Sequence, residues 1–172
     1  FPPISGLSRT CIWKFQKEGL ALEIPDEYQI SSAKLKDVED MVVLEKKLCG
    51  IDRGKDFQYF IENKREIWRT VVCRDSKGKL VGFLASVDHP ASRIIGPGVS
   101  ENEEVALILL RHLLDSFRGK CPLFLLPVTS QKAVQTAYSW GARNCEIHFS
   151  QCKGEYQPPK GVVMPTFMPE TS

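Results

Sequence analysis

Residues 92 to 114, SRIIGPGVSENEEVALILLRHLL, combine a short apolar strand, a tight loop and a helix with a continuous apolar face. The first turn of such a helix presents backbone N–H groups that lack intrahelical partners, and the helix dipole adds partial positive charge there. Phosphate groups bind well at this position. The segment therefore suggests a phosphate-bearing ligand.

The loop before this helix works against that ligand. Glu101, Glu103 and Glu104 stand in or beside the first turn, and no lysine, arginine or glycine-rich run accompanies them. A carboxylate about 6 Å from a diphosphate costs only about 3 kcal/mol at an effective dielectric constant near 20. We therefore expect binding to be weakened rather than abolished.

His89 is a candidate for acid–base chemistry. It follows Asp88 in the hairpin end VDHPAS, and an imidazole that titrates near neutral pH could take a proton from an amine. The alternative is a surface histidine in a turn that precedes a proline, and both interpretations stay open.

The six cysteines form no Cys-x-x-Cys pair and have no histidine at ligand spacing, so the sequence predicts no metal site. Cys73 falls in a predicted strand, as buried reduced thiols often do. This use of cysteine is typical of an intracellular protein.

Length and charge exclude several classes of protein. The 172 residues suit one domain, and the net charge of +2 gives no signature of nucleic-acid or anionic-membrane binding. No apolar run approaches the ~20 residues that cross a bilayer. We expect an intracellular, cytoplasmic protein, and a first residue other than Met indicates a processed chain or, as we favour, one cut from a longer protein.

Hydrophobic periodicity predicts the elements that must position these residues. Strands are expected at 7–15, 20–24 and 28–33, then helices at 35–50 and 56–64, a hairpin of strands at 68–74 and 79–87, a strand at 93–99, a helix at 103–117, a strand at 121–128, a helix at 130–140 capped by Ser130, and a strand at 144–151. The proline-rich tail from Tyr156 is expected to be irregular.

This order predicts an α/β fold with a mixed sheet, in which an antiparallel half is followed by a βαβ-type parallel half. Gly96, Pro97 and Gly98 argue against regular pairing in the strand that carries them and indicate a bulge or splay. The run at 121–128 is typical of an interior strand with parallel neighbours.

The element order over residues 29 to 154 resembles the GNAT superfamily of N-acetyltransferases. The segments LCGIDR, GKLVGFLAS, IIGPGV, LFLLPV and GAR, which begin at residues 48, 78, 94, 123 and 141, are similar to the C-terminal domain of tandem GNAT proteins. The resemblance implies acetyl-CoA or CoA bound where two neighbouring strands diverge in a V, with the pantetheine amides paired to the free strand edge.

The resemblance also implies site residues. Those implied to contact the cofactor are Pro97, Gly98, Val99, Asn102, Glu103, Glu104, Val105 and Ser130. Arg53, in an element similar to the family's Gly-x-Asp-Arg, would hold a substrate carboxylate, or would pin the turn between two helices together with Asp52. Asp88 is a second candidate substrate-binding residue. Tyr138 is implied as the acid that protonates the departing thiolate, although Ala137 stands at the family's tyrosine position. His89 is the candidate base on the chemistry given above, not from the resemblance.

The implied function is acyl transfer from acyl-CoA to the amine of a small molecule or peptide. The alternative is a non-catalytic GNAT-like domain that serves dimerisation or substrate binding in a longer tandem protein. The sequence divides into an N-terminal strand and linker at 1–28, a GNAT-like domain at 29–156 and a tail at 157–172. The first of these is either the end of a preceding GNAT copy or a strand of this domain's own sheet. Expected partners are the amine substrate and a second copy of the chain or a preceding GNAT domain, with no nucleic acid and no membrane.

Overall fold

The computed structural model describes residues 5–12, 24–150 and 155–166. The strands are β1 (Ser5–Ile12), β2 (Tyr28–Ser32), β3 (Trp68–Asp75), β4 (Leu80–His89), β5 (Ser92–Ser100), β6 (Leu123–Pro127), β7 (Ala142–Ser150) and β8 (Val162–Met164). The helices are α1 (Val38–Cys49), α2 (Gly54–Glu62), α3 (Glu103–Leu114) and α4 (Gln131–Ser139). No helix in these ranges is both long enough and apolar enough to span a bilayer.

The eight strands of the described residues belong to one mixed sheet, which confirms the predicted fold class. Its order is β2-β3-β4-β5-β6-β1-β7, and β8 pairs with β5 off this path. Within the described strands, β5 and β6 form the one parallel ladder, while the others are antiparallel.

The neighbours of β6 differ from the prediction. β1 lies between β6 and β7 and runs antiparallel to both, with Leu7 opposite Pro127 on one side and His148 on the other. β6 and β7 are therefore parallel to each other but not adjacent. An antiparallel neighbour leaves the faces of a strand as well covered as a parallel one when helices pack above and below, so an apolar run does not report strand direction.

The helices cover both faces of the sheet, and the alternation of side chains along β4 shows how. Phe83 belongs to the buried cluster that contains Met41 of α1 and Phe57 of α2. The next residue, Leu84, belongs to the cluster that contains Leu109 of α3. Successive strand residues point to opposite faces, so α1 and α2 pack on one side and α3 with α4 on the other.

β5 is irregular where its glycines and proline predict. The Gly96–Pro97 peptide is cis, and Gly96 has φ 138°. The register between β4 and β5 shifts between Leu84 and Ser86, opposite this segment. The prediction of a bulge or splay is confirmed.

Two terminal predictions have different outcomes. The strand predicted at 20–24 lies, except for Ile24, outside the described residues. The prediction of an irregular tail is wrong at Val162–Met164, which form β8, whereas residues 156–161 lie in neither a helix nor a strand. The edge of β5 has backbone groups that need partners, and an extended segment of the tail supplies them.

Candidate functional site

β5 and β6 pair at two positions and then separate. Ile94 lies opposite Leu123 and Ile95 opposite Phe124, after which no ladder joins the two strands. β5 nevertheless continues to Ser100 and β6 to Pro127. We call the space between residues 96–100 and the end of β6 the β5–β6 groove.

β8 lies in the β5–β6 groove. Its three residues pair antiparallel with β5, Val162 opposite Ser100 and Met164 opposite Gly98, and β8 also contacts β6. The side chains of Val162 and Met164 are 4% and 2% exposed. Together with Leu109 of α3 they line a small cavity beside β5 that has no room for a water molecule. One extended chain therefore fills the groove.

The backbone of the tail approaches β5 closely at both ends of β8. A Cβ at Gly161 would lie 2.3 Å from the carbonyl oxygen of Ser100, and a Cβ at Gly96 would lie 2.5 Å from that of Pro165. The amide of Lys160 donates to the carbonyl of Leu48 in α1 at 2.8 Å. Positions 96 and 161 therefore require glycine, because β5 and the tail segment approach each other too closely there for a side chain.

The start of α3 lies at the far end of β5. Asn102 is its N-cap, and the side-chain oxygen of Asn102 accepts a hydrogen bond from the amide of Val105 at 2.9 Å. The hydroxyl of Ser100 donates to the carbonyl of Asn102 at 2.9 Å. One of the first-turn amides that could face a phosphate is therefore already bound by the cap.

Glu103 links α3 to α4. Its carboxylate accepts a hydrogen bond from the amide of Ala133, in the first turn of α4, at 2.6 Å. Ser130 stands at the N-cap of α4 as predicted, but its side chain makes no capping hydrogen bond. An ionised acceptor at a helix N-terminus binds more strongly than a hydroxyl, so a residue of the neighbouring helix takes the place of the cap. Glu104 lines a separate cavity of about 260 Å³ with Arg111 and Lys132.

Glu101, the third glutamate of the loop, is paired with two lysines. Lys47 and Lys79 both donate to Glu101, at 2.9 and 2.8 Å. These hydrogen bonds lower the pKa of Glu101, and burial opposes them. The sequence shows no basic residue beside the loop, because one lysine comes from α1 and the other from the turn before β4.

Arg53 is held by a buried carboxylate of α1. Its Nε donates to both carboxylate oxygens of Glu45 at 3.1 and 3.2 Å, and its terminal NH2 group also contacts Glu45. The Glu45 side chain is fully buried and that of Arg53 is 14% exposed. Burial raises the pKa of Glu45, although the Arg53 guanidinium acts to lower it. This geometry favours a structural role for Arg53 between α1 and α2.

His89 and Asp88 lie at the opposite end of β5 from the start of α3. His89 pairs with Ser92, the first residue of β5, and nine residues of strand span about 25 Å. The His89 ring is engaged locally, because its Nδ1 accepts a hydrogen bond from the amide of Ala91 at 3.2 Å. The structure does not bring His89 together with the residues around Asn102.

Asp88 is occupied by two cations. It contacts Lys120 and accepts a hydrogen bond from Arg93 at 3.2 Å. Burial acts to raise the pKa of Asp88, but these two cations outweigh it and leave that pKa below its ordinary value.

Tyr138 is in the last turn of α4 and is 43% exposed, whereas Ala137 is completely buried. The residue at the family's tyrosine position therefore packs in the core, and Tyr138 points away from it.

Two of the described thiols, Cys49 and Cys73, do not favour nucleophilic chemistry. Burial raises the pKa of Cys73 to about 11, and burial also raises the pKa of Cys49. Because the thiolate is the reactive form, neither sulfur is activated.

A thioester cofactor with an extended pantetheine arm fits the β5–β6 groove in width, since β8 shows that one extended backbone pairs with Gly98 and Ser100. The arm and β8 cannot occupy the groove together. At the start of α3 the fit is poorer, because the side-chain oxygen of Asn102 already accepts from the amide of Val105. The carboxylate of Glu103, which binds the amide of Ala133 in α4, also adds a negative charge to this first turn that would repel a diphosphate. The residues present therefore fit the arm only when β8 is elsewhere.

Neither the buried Glu45 nor the strand β8 was predicted from the sequence, although the sequence indicates both. Glu45 stands among Met41, Leu44 and Leu48 on the apolar face of α1, where a charged residue indicates a buried pair. The run Val162–Met164 lies between Gly161 and Pro165, a short β-branched run bounded by turn residues.

Comparisons with known proteins agree with the fold. Residues 41–157 match the family described as acetyltransferase (GNAT) domain. Among solved structures, a protein from Pyrococcus horikoshii superposes with a TM-score of 0.61 at 14% identity, over 95% of this chain and 51% of that one. A GNAT-family protein from Novosphingobium aromaticivorans gives 0.57 at 14% identity, over 88% and 66%. A GNAT-family acetyltransferase from Colwellia psychrerythraea gives 0.53 at 14% identity, over 87% and 57%.

The chain spans between about half and two thirds of the length of these three proteins. No curated protein sequence matches it significantly. At these identities the structural likeness shows the fold alone.

Proposed function

The chain belongs to the acetyltransferase (GNAT) domain family, and from that premise we propose that it is an acyl-CoA-dependent N-acyltransferase acting on the amine of a small molecule or peptide. Acetyl-CoA is the donor that the family generally uses. The observation that carries the proposal is the separation of β5 from β6 after Ile95, which leaves a groove of the width that a pantetheine arm needs.

The residues have distinct parts in this proposal. The backbone of Gly98 and Ser100 would pair with the pantetheine amides, as it now pairs with β8. The amides at the start of α3 would face the diphosphate. The bound thioester supplies an activated acyl group, and a backbone N–H donor near its carbonyl would stabilise the charge that develops there. His89 as base and Tyr138 as acid remain predictions.

A second candidate is a GNAT-fold domain without catalysis, which serves dimerisation or substrate binding beside another GNAT domain. Two observations favour it: β8 lies in the β5–β6 groove, where it pairs with β5 and contacts β6, and the carboxylate of Glu103 binds the first turn of α4. Fold alone does not decide between the two candidates.

Isothermal titration of the chain with acetyl-CoA and with CoA separates the candidates. The enzyme is expected to bind both, and to release CoA from acetyl-CoA when a panel of primary amines is added. Desulfo-CoA is the matched control, because it can bind but cannot carry an acyl group. Absence of binding in the intact chain and in a variant with a released β8 would contradict the enzyme and support the second candidate.

A further inference from the structure

We propose that residues 161–165 are a detachable intrachain segment, and that the β5–β6 groove accepts either this segment or one other extended ligand, but not both. The inference rests on the proposed function for the identity of that other ligand, an acyl-CoA thioester. The detachment itself is a property of the fold.

The first support is geometric. β8 pairs with β5 from Gly98 to Ser100, which is three of the five β5 residues that follow the last pair with β6. Beyond β8, the backbone of Pro165 lies close to that of Gly96. Any second chain that paired with this edge would need the same backbone donors and acceptors.

The second support is the weakness of the attachment. β8 is three residues long, and a ladder of this length contributes few hydrogen bonds. Residues 157–160, which precede β8, are exposed. Within this segment, the backbone hydrogen bond from the amide of Lys160 to the carbonyl of Leu48 attaches the tail to α1. Prolines at 158, 159 and 165 prevent the ladder from growing in either direction.

The third support is the character of the contact. Val162 and Met164 insert into the cluster that contains Leu109 and Ala106. Exposing these two side chains to water when β8 detaches costs free energy, so without ligand the closed state, in which β8 is paired with β5, is favoured. A ligand that binds only the open state then has an apparent affinity lowered by the fraction of open molecules, about tenfold for one open molecule in ten.

Two variants test the inference by moving the equilibrium in opposite directions. Val162→Asn with Met164→Asn places polar groups in the apolar part of the groove and releases β8. Val99→Cys with Val163→Cys joins two opposed residues, so that oxidation holds β8 in place and reduction frees it. Gln157→Asn with Lys160→Asn, at exposed tail positions, is the control for polar substitution in the same segment, because it keeps the three prolines and the backbone amide that bonds to Leu48.

Hydrogen exchange of the unliganded proteins measures detachment. The asparagine variant should exchange faster than wild type at Gly98–Ser100 while β3 keeps its protection, and a synthetic peptide of residues 157–172 should bind to it and restore protection. Unchanged exchange, or a peptide that does not bind, would overturn the inference.

Calorimetry with CoA then measures exclusion. The asparagine variant should bind CoA about tenfold more tightly than wild type and than the control, and the oxidised cysteine variant should bind none until it is reduced. Equal binding by the oxidised and reduced forms would overturn the inference. If the peptide binds the asparagine variant and CoA does not, the detachable segment stands and the proposed acyltransferase fails.

Discussion

Val163 lies directly opposite Val99, in antiparallel strands from distant parts of the chain. β6 leaves β5 after Phe124, so Val99 would otherwise belong to an open strand edge. The pair shows how this fold can keep the separation between the two strands and still satisfy its backbone groups. The same edge of β5 can therefore pair with β8, which closes the sheet, or with an extended ligand in its place.

β5 passes close to β4 at Gly98, and we predict that Gly98→Ala lowers the free energy of unfolding by about 2 kcal/mol. A Cβ there would lie 2.5 Å from both the Cδ1 of Leu84 and the carbonyl oxygen of Phe83. The carbonyl cannot move without disturbing the ladder. Urea unfolding measures the loss.

Gly119→Ala is the matched control for this substitution. Gly119 has a positive φ of 73°, but a Cβ added there would meet no atom within 4 Å, so only backbone strain of about 1 kcal/mol is expected. A loss at Gly98 no larger than the loss at Gly119 would contradict the steric argument.

Asn102 closes the N-terminus of α3, and we predict that Asn102→Ala lowers the free energy of unfolding by about 1 kcal/mol, because the amide of Val105 loses its acceptor. Asn102→Ser should recover most of the loss, since serine also caps. Thermal or urea unfolding of the three proteins checks this. An alanine variant as stable as wild type would show that the cap contributes nothing.

The fold was accessible from the sequence because its signals are local. Gly50 ends α1 in a left-handed conformation with φ 75°, as a glycine after an amphipathic run predicts. Gly96 and Pro97 mark the distorted part of β5. Such features depend on a few neighbouring residues, and periodicity is enough to order the elements.

The site was less accessible because its contacts join residues far apart in the chain. Lys47 and Lys79 meet at Glu101, which no inspection of the loop reveals. Three residues of β8 are too few for a periodic pattern, and their partner strand precedes them by a helix, a strand, a further helix and another strand. Pairings of this kind follow from topology rather than from local propensity.

Glu45 and Arg53 form a buried ion pair, and we predict that Glu45→Gln lowers the free energy of unfolding by about 2 kcal/mol, because the guanidinium loses its counter-ion in a largely buried position. Urea unfolding measures this. The double substitution Glu45→Leu with Arg53→Leu should be more stable than Glu45→Gln, since it removes both charges. A double variant less stable than the single one would show that the pair is net stabilising beyond its desolvation cost.

His112 makes stability depend on pH. Burial lowers the pKa of His112 below its ordinary value of 6.5, and the charge of Arg69 acts in the same direction, while Asp115 opposes them. The unfolded chain therefore takes up a proton near pH 6.5 that the folded chain does not. We predict that the free energy of unfolding decreases as the pH falls below 6.5 toward the lowered pKa, by at most about 1.4 kcal/mol per pH unit.

Urea unfolding at about pH 7.5 and about pH 5.5 tests this prediction in wild type, His112→Gln and His89→Gln. The loss between the two pH values should be smaller in His112→Gln, because the titrating group is gone. His89 is exposed, so His89→Gln should retain the wild-type loss. If His112→Gln loses as much stability as wild type over this interval, the pH dependence has its origin elsewhere in the chain.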